Sequence, residues 1–167
     1  METGEVELVS RFMRFQKLID DYSGGPQLLR EAVKGMSCEQ LIARPVAGKW
    51  STLEVVCHIA DFDIVGADRI KRVIALDKPT LPDGDENLFA ARLAYHQRDL
   101  EEELHLIGAI RAQVARILRT LGDEDFTRIG NHTAAGPLTL QQFVERMAVH
   151  LPHHVKFIAE KRKALGI

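Results

Sequence analysis

Cysteine is scarce in this chain. Cys38 and Cys57 are its two cysteines, too few for a disulfide framework and not in a C-x-x-C pair, so both are expected as reduced, packed thiols. Long apolar runs are missing as well: charges interrupt every hydrophobic stretch well short of the ~20 residues a helix needs to cross a bilayer. Nor does one sign of charge dominate. The 22 basic and 24 acidic residues leave a formal charge of -2, with no block of like charge to hold a phosphate backbone or an acidic membrane face. Nucleic acid and membranes are therefore not expected as partners. The opening METGEVELVSRFMRF has neither the basic start and unbroken apolar run of a secretory signal nor the acid-free character of a transit peptide. The cytoplasm is the expected location. Six prolines and 12 glycines in 167 residues are too few to suggest disorder.

What is present is the composition of a globular protein, 46% apolar and 28% charged, long enough to bury one core without covalent staples. A single domain spanning 1–167 is expected. Val9, Phe12, Met13, Phe15 and Ile19 predict a first helix from about Val6 to Tyr22, stopped by Ser23-Gly24-Gly25-Pro26. A short helical piece, Gln27 to Val33, follows. Ser37 to Gln40, Ser51 to Glu54 and Thr139 to Gln142 each read as a capping box, in which a hydroxyl at the N-cap and an amide or acid three residues on satisfy each other's backbone N–H. From Ser51 the stripe Val55, His58, Ile59, Phe62, Val65, Arg69 and Val73 predicts a long helix ending near Pro79. Phe89, Leu93, His96, Leu100, Leu104, Ile107, Arg111, Val114 and Leu118 predict a third, and Phe143, Met147, His150, His154 and Phe157 a last one. No period-two strand pattern appears. The predicted fold class is all-α: an up-and-down four-helix bundle with short extra helical turns.

His150 and His154, four residues apart on the last helix, leave the same side and can grip one ion. Histidine pairs at this spacing arise by chance, so the third histidine decides the matter. In an up-down-up-down bundle the second and fourth helices run parallel on a diagonal roughly 14 Å wide. His58 lies seven residues from its cap and His150 eleven from its own, within about 6 Å in height if the caps are level. Three inward histidines at one height would be costly as unpaired polar groups, whereas a divalent ion satisfies all three. Cys57 points ~100° away from His58 and is rejected as a ligand.

Lys49-Trp50-Ser51, Glu54-Val55, His58-Ile59-Ala60-Asp61, Gly136 to Leu140 and His150-x-x-His153-His154 together resemble the DinB-like (DinB/YfiT) superfamily along nearly the whole chain. That resemblance implies a four-helix bundle with a metal, commonly nickel or zinc, on His58, His150 and His154. It also implies one of two chemistries. Some members are transferases or isomerases using low-molecular-weight thiols such as bacillithiol or mycothiol; others are described as metal-dependent hydrolases. Pro152 departs from a regular helix between the two ligands, removing one backbone hydrogen bond and crowding the Ala148 carbonyl, and a kink is expected there.

Three neutral imidazoles leave a dication its full charge and open positions, the pattern of a catalytic rather than a structural site. Either an acidified water or a bound thiolate fits, with thiol transfer placed slightly ahead of small-molecule hydrolysis on the resemblance. Leu151 stands where H-E-x-x-H proteases carry their glutamate, which disfavours that route. Arg111 is a candidate to hold a substrate carboxylate, with a buried pair to Asp61 or another inward acid as the alternative. His153 is a candidate acid, base or orienting group, and Asp61 a second partner of His58 or weak fourth ligand. His132 reads as a loop hydrogen-bonder, and His96 and His105 as structural or exposed. A small-molecule substrate is expected and a homodimer is left open. A metal-sensing module and a bundle without any ion remain the non-enzymatic alternatives.

Overall fold

Capping boxes start three of the helices. Ser37, Ser51 and Thr139 each accept at their hydroxyl from the backbone N–H three residues on, and Gln40, Glu54 and Gln142 reach back to the cap amide. The computed structural model describes residues 15–167, so the expected helical positions Val9, Phe12 and Met13 lie outside the described residues. The elements are α1 (Gln16–Val33), α2 (Cys38–Ile42), α3 (Thr52–Ala75), β1 (Thr80–Leu81), α4 (Glu86–Arg92), α5 (Leu100–Leu118), β2 (Ile129–His132), β3 (Gly136–Thr139) and α6 (Leu140–Leu165). None of the described helices is long and apolar enough to cross a membrane.

The four long helices α1, α3, α5 and α6 form the four-helix bundle expected, but in a different order. Helix α3 packs against α5 and α6, and α1 against the same two, which makes α1/α3 and α5/α6 the diagonals. Directions follow from the contacts. Arg30 pairs with Glu101 and Asp20 with Arg119, so α1 and α5 are antiparallel. Arg162 at the far end of α6 reaches the carbonyls of Ala32 and Lys34, while Gly25 lies against Leu151, so α1 and α6 are parallel. Helices α3 and α6 are antiparallel, with His58 at His150 and His154 and Gly66 at Met147. The order is thus up-down-down-up. Strict alternation is enforced only by short loops. Here residues 76–99 run back along the bundle before α5 begins, which frees α5 to lie parallel to α3.

Three local expectations fail for identifiable reasons. Ser23-Gly24-Gly25-Pro26 does not stop the first helix: α1 continues through it. Pro26 cannot donate to the Tyr22 carbonyl, and the Arg111 guanidinium, buried in the core, donates to it instead at 3.0 Å. Gly25 makes room for that guanidinium, since a Cβ there would meet Arg111 Nη1 at 2.7 Å. The third helix is not continuous from Phe89. It breaks after Arg92 into a left-handed Ala94 and a 3-10 turn at Tyr95–Gln97, and restarts at Asp99, whose carboxylate accepts from the Glu102 amide. Tyr95 is buried by that break and His96 is left exposed. Finally, short strands do exist: β2 pairs antiparallel with β3 and parallel with β1, closing one end of the bundle where Leu81, Leu138 and Phe143 join the core.

Apolar residues form two main clusters. One, around Tyr22, Ile70, Leu118 and Val144, fills the sheet end; the other, around Leu29, Ile59, Ile107 and Ile158, fills the opposite half.

Candidate metal centre

Helix α3 enters the core almost completely. From Ser51 to Asp61 every residue is buried, because α3 is covered on two sides by α5 and α6 and further by α2 and Tyr95. His58 is held in that stretch. His150 and His154 come one turn apart from the facing side of α6, which continues unbroken through Pro152.

The three Nε2 atoms form a triangle: His58 to His150, His58 to His154, and His150 to His154 are each 3.1 Å. No diagonal has to be spanned, because α3 and α6 are adjacent, and the caps compared for height lie at opposite ends of the bundle. Hydrogen bonding cannot satisfy this triangle. Each Nε2 is either a protonated donor or a bare acceptor; among three atoms in mutual contact, two must be alike and repel. A cation facing three lone pairs removes the conflict. With metal–nitrogen bonds of about 2.1 Å, ligands 90–109° apart have nitrogens roughly 3.0–3.4 Å apart, so the spacing fits. These are the residues among those described that group as possible ligands, with all three ligand atoms within 4.8 Å of one another.

The surroundings keep the imidazoles neutral. Burial lowers the His58 pKa to about 4, against the opposing pull of Asp61. His150 falls to about 3, through burial and then the neighbouring His154, His58 and Arg111. His154 also falls to about 3, through burial, His58, His153 and Lys161. Aromatic rings wall the site: Trp50 and Phe62 lie 5.1 and 4.6 Å from the His58 ring, and Phe157 lies 5.6 Å from that of His154. Beside His154 opens a pocket of about 250 Å³ between Trp50, Lys49, Asn87, Phe157 and Lys161.

The other candidate residues lie around or away from this triangle. Arg111 is fully buried, with Nε and Nη2 on the two oxygens of Asp63 at 2.7 and 2.9 Å and further bonds to the Tyr22 and Met147 carbonyls. The buried-pair alternative holds, with Asp63 rather than Asp61 as partner. Asp61 turns away from the histidines and accepts from Arg98 Nη1 at 3.0 Å at both oxygens, within an Arg98–Glu103 network. His153 is exposed, its ring 5.5 Å from that of His154 and 4.8 Å from Phe157. Cys57 donates its thiol to the Tyr95 carbonyl, away from the site, and burial pushes it up to about 12. His132 accepts from the Ala134 and Ala135 amides, a hairpin role. The sequence reading missed Asp63 and Lys161. Asp63 lies on a second buried stripe of α3 with Val56, Ile59, Gly66 and Ile70, and Lys161 stands seven residues, two turns, beyond His154.

The fold and the triad together define a class: a four-helix bundle carrying three inward histidines suited to a divalent ion. A profile of the DinB superfamily matches residues 22–158, and the chain belongs to that superfamily. It is 31% identical over 152 residues to GK0616 of Geobacillus kaustophilus, spanning 90% of this chain and 85% of that one. With OB0782 of Oceanobacillus iheyensis the identity is 29% over 147 residues, or 87% and 85% of the two chains. Both relatives are named as candidate metal-dependent hydrolases. The solved structure of YfiT from Bacillus subtilis superposes with a TM-score of 0.85 at 26% identity, covering 90% of this chain and 87% of YfiT. YfiT is described as a candidate metal-dependent hydrolase with an unusual four-helix bundle topology.

Proposed function

We propose that this chain is a cytoplasmic metal-dependent hydrolase of a small molecule, with His58, His150 and His154 holding one divalent ion, nickel or zinc. The triangle of Nε2 atoms at 3.1 Å carries this reading, and the names of the relatives support hydrolysis. His58, His150 and His154 would hold a divalent ion there, and the chemistry it would supply is Lewis acidity and a lowered pKa for water. The protein's own contribution is threefold. Burial keeps the imidazoles neutral and available as ligands; the absence of a carboxylate among the three leaves the ion's charge undiminished. Trp50, Phe62 and Phe157 set apolar surface against the imidazoles, which lowers the local dielectric and strengthens electrostatics there. His153, exposed with its ring 5.5 Å from that of His154, would serve as the acid or base toward substrate.

Activation of a low-molecular-weight thiol, implied by the family resemblance, would draw on the same ion, and the assay separates the two by whether turnover requires an added thiol. Protein purified without a His-tag is expected to carry stoichiometric metal, to lose turnover of small esters and amides on chelation, and to regain it on adding nickel or zinc. Metal-free protein with turnover that survives chelation would overturn the proposal.

A further inference from the structure

Lys161 is 3% exposed, and among the described residues it has no carboxylate within ion-pair distance. Its Nζ makes one hydrogen bond, to the Phe157 carbonyl at 3.2 Å, and lies 5.9 Å from the Phe157 ring centroid. An ammonium has three donors, and a buried one is costly unless it is paired. The acids near it are committed or turned outward. Both oxygens of Glu54 are taken by Arg44, and one also by the Ser51 amide. Glu160 is exposed at the rim. The Lys161 amine is pushed below its ordinary range by burial and by Lys49, with Glu160 and Glu54 opposing. Lys161 lines the same 250 Å³ pocket as His154, two turns along one helix.

We propose that Lys161 binds the carboxylate of a small amphiphilic acid whose apolar body lies between Trp50 and Phe157 and whose reacting group faces the three histidines. This rests on the reading of those histidines as the reactive centre. The alternative cation-binding partners are disfavoured by what the pocket offers. A phosphate dianion would meet one buried ammonium without an arginine fork, and a rim on which the single cation Lys49 is outnumbered by Glu86 and Glu160. A carboxylate needs one point charge and a neutral donor, which Lys161 and the Asn87 side chain at the pocket wall can supply.

The test uses the full-length protein, metal-loaded and chelated, titrated calorimetrically with phenylacetate, phenylacetamide and phenyl phosphate. Phenylacetate is expected to bind both forms, and Lys161→Met to weaken it roughly tenfold or more in the chelated form, where no ion competes for the carboxylate. Lys161→Arg should restore binding, and phenylacetamide should be indifferent to residue 161. Metal content of Lys161→Met should equal that of the wild type, so failure of the metal reading and failure of this one are told apart. Equal phenylacetate affinity in wild type and Lys161→Met, or tighter binding of phenyl phosphate than of phenylacetate, would overturn the proposal. Should Lys161→Met not fold, the ¹⁵Nζ resonance of Lys161 in wild-type protein serves instead: a shift on adding phenylacetate supports it, and none overturns it.

Discussion

Two polar centres are buried in the same bundle, five residues apart along α3, and they are built on opposite plans. At Asp63 every charge is answered: both carboxylate oxygens meet Arg111, and two further guanidinium N–H groups donate to the carbonyls of Tyr22 and Met147. At His58 nothing is answered from within. Three Nε2 atoms face one another at 3.1 Å, and the three Nδ1 atoms are buried without a hydrogen-bond partner among the described residues. The first centre is closed and serves the fold, tying α1, α3, α5 and α6 together at one level. The second is costly to the bare protein, and a site kept in a costly state is a mark of function rather than stability.

The difference can be broken most severely at the closed centre. Asp63→Ala leaves a guanidinium buried without its counter-charge, and unfolding by denaturant should show a loss of about 3–5 kcal/mol. A loss under about 1 kcal/mol would mean that water reaches Arg111 and that the centre is not closed.

Acid should act mainly on the open centre. The folded histidines have pKa values of about 4, 3 and 3 against about 6.5 in the unfolded chain. Below pH 6.5 the unfolded state therefore binds more protons, and stability falls as pH drops from 6.5 toward 4. The loss is expected on the order of a few kcal/mol in chelated protein, and it should be steeper in metal-loaded protein because protons also displace the ion. Melting temperatures across that range check it, and a His58→Leu variant should have a shallower slope. Identical slopes in wild type and variant would refute the assignment.

The same variant sharpens the comparison at neutral pH. His58→Leu removes one of three imidazoles that burial penalises, so in chelated protein it should change stability by no more than ~1 kcal/mol in either direction. Elemental analysis should nevertheless find most of the metal gone, while Cys57→Ser keeps it. A large stability loss without metal would show that the imidazoles stabilise one another unaided.

The smallest effect is expected at Pro152. Because α6 already continues through it, Pro152→Ala should restore the hydrogen bond to Ala148 and raise stability by only about 1 kcal/mol or less, read from thermal unfolding. A gain near ~3 kcal/mol would reveal strain held between His150 and His154.

Much of this was legible in the chain itself. The three capping boxes, the helical stripes and the inward faces of His58, His150 and His154 depend on residues within a turn or two of each other, and local spacing encodes them directly. Cys57 was excluded on the same ground, by its angle on the helix. Breaks were harder to place. Gly24-Gly25-Pro26 looks like a terminator by propensity, yet the donor that Pro26 lacks comes from Arg111 more than 80 positions away. The break near Tyr95 was hidden by an apolar spacing that continues across it.

The sequence determined which residues could form helices, where those helices start, and that three histidines would face inward. Tertiary structure alone decided which helices are neighbours, and hence that α3 meets α6 directly and antiparallel, that Arg111 is spent on Asp63, and that Lys161 ends beside His154. The physical reason is range. Capping and periodicity are fixed by contacts a few residues long, whereas neighbour order depends on how the long return from residue 76 to 99 packs, which no local pattern records.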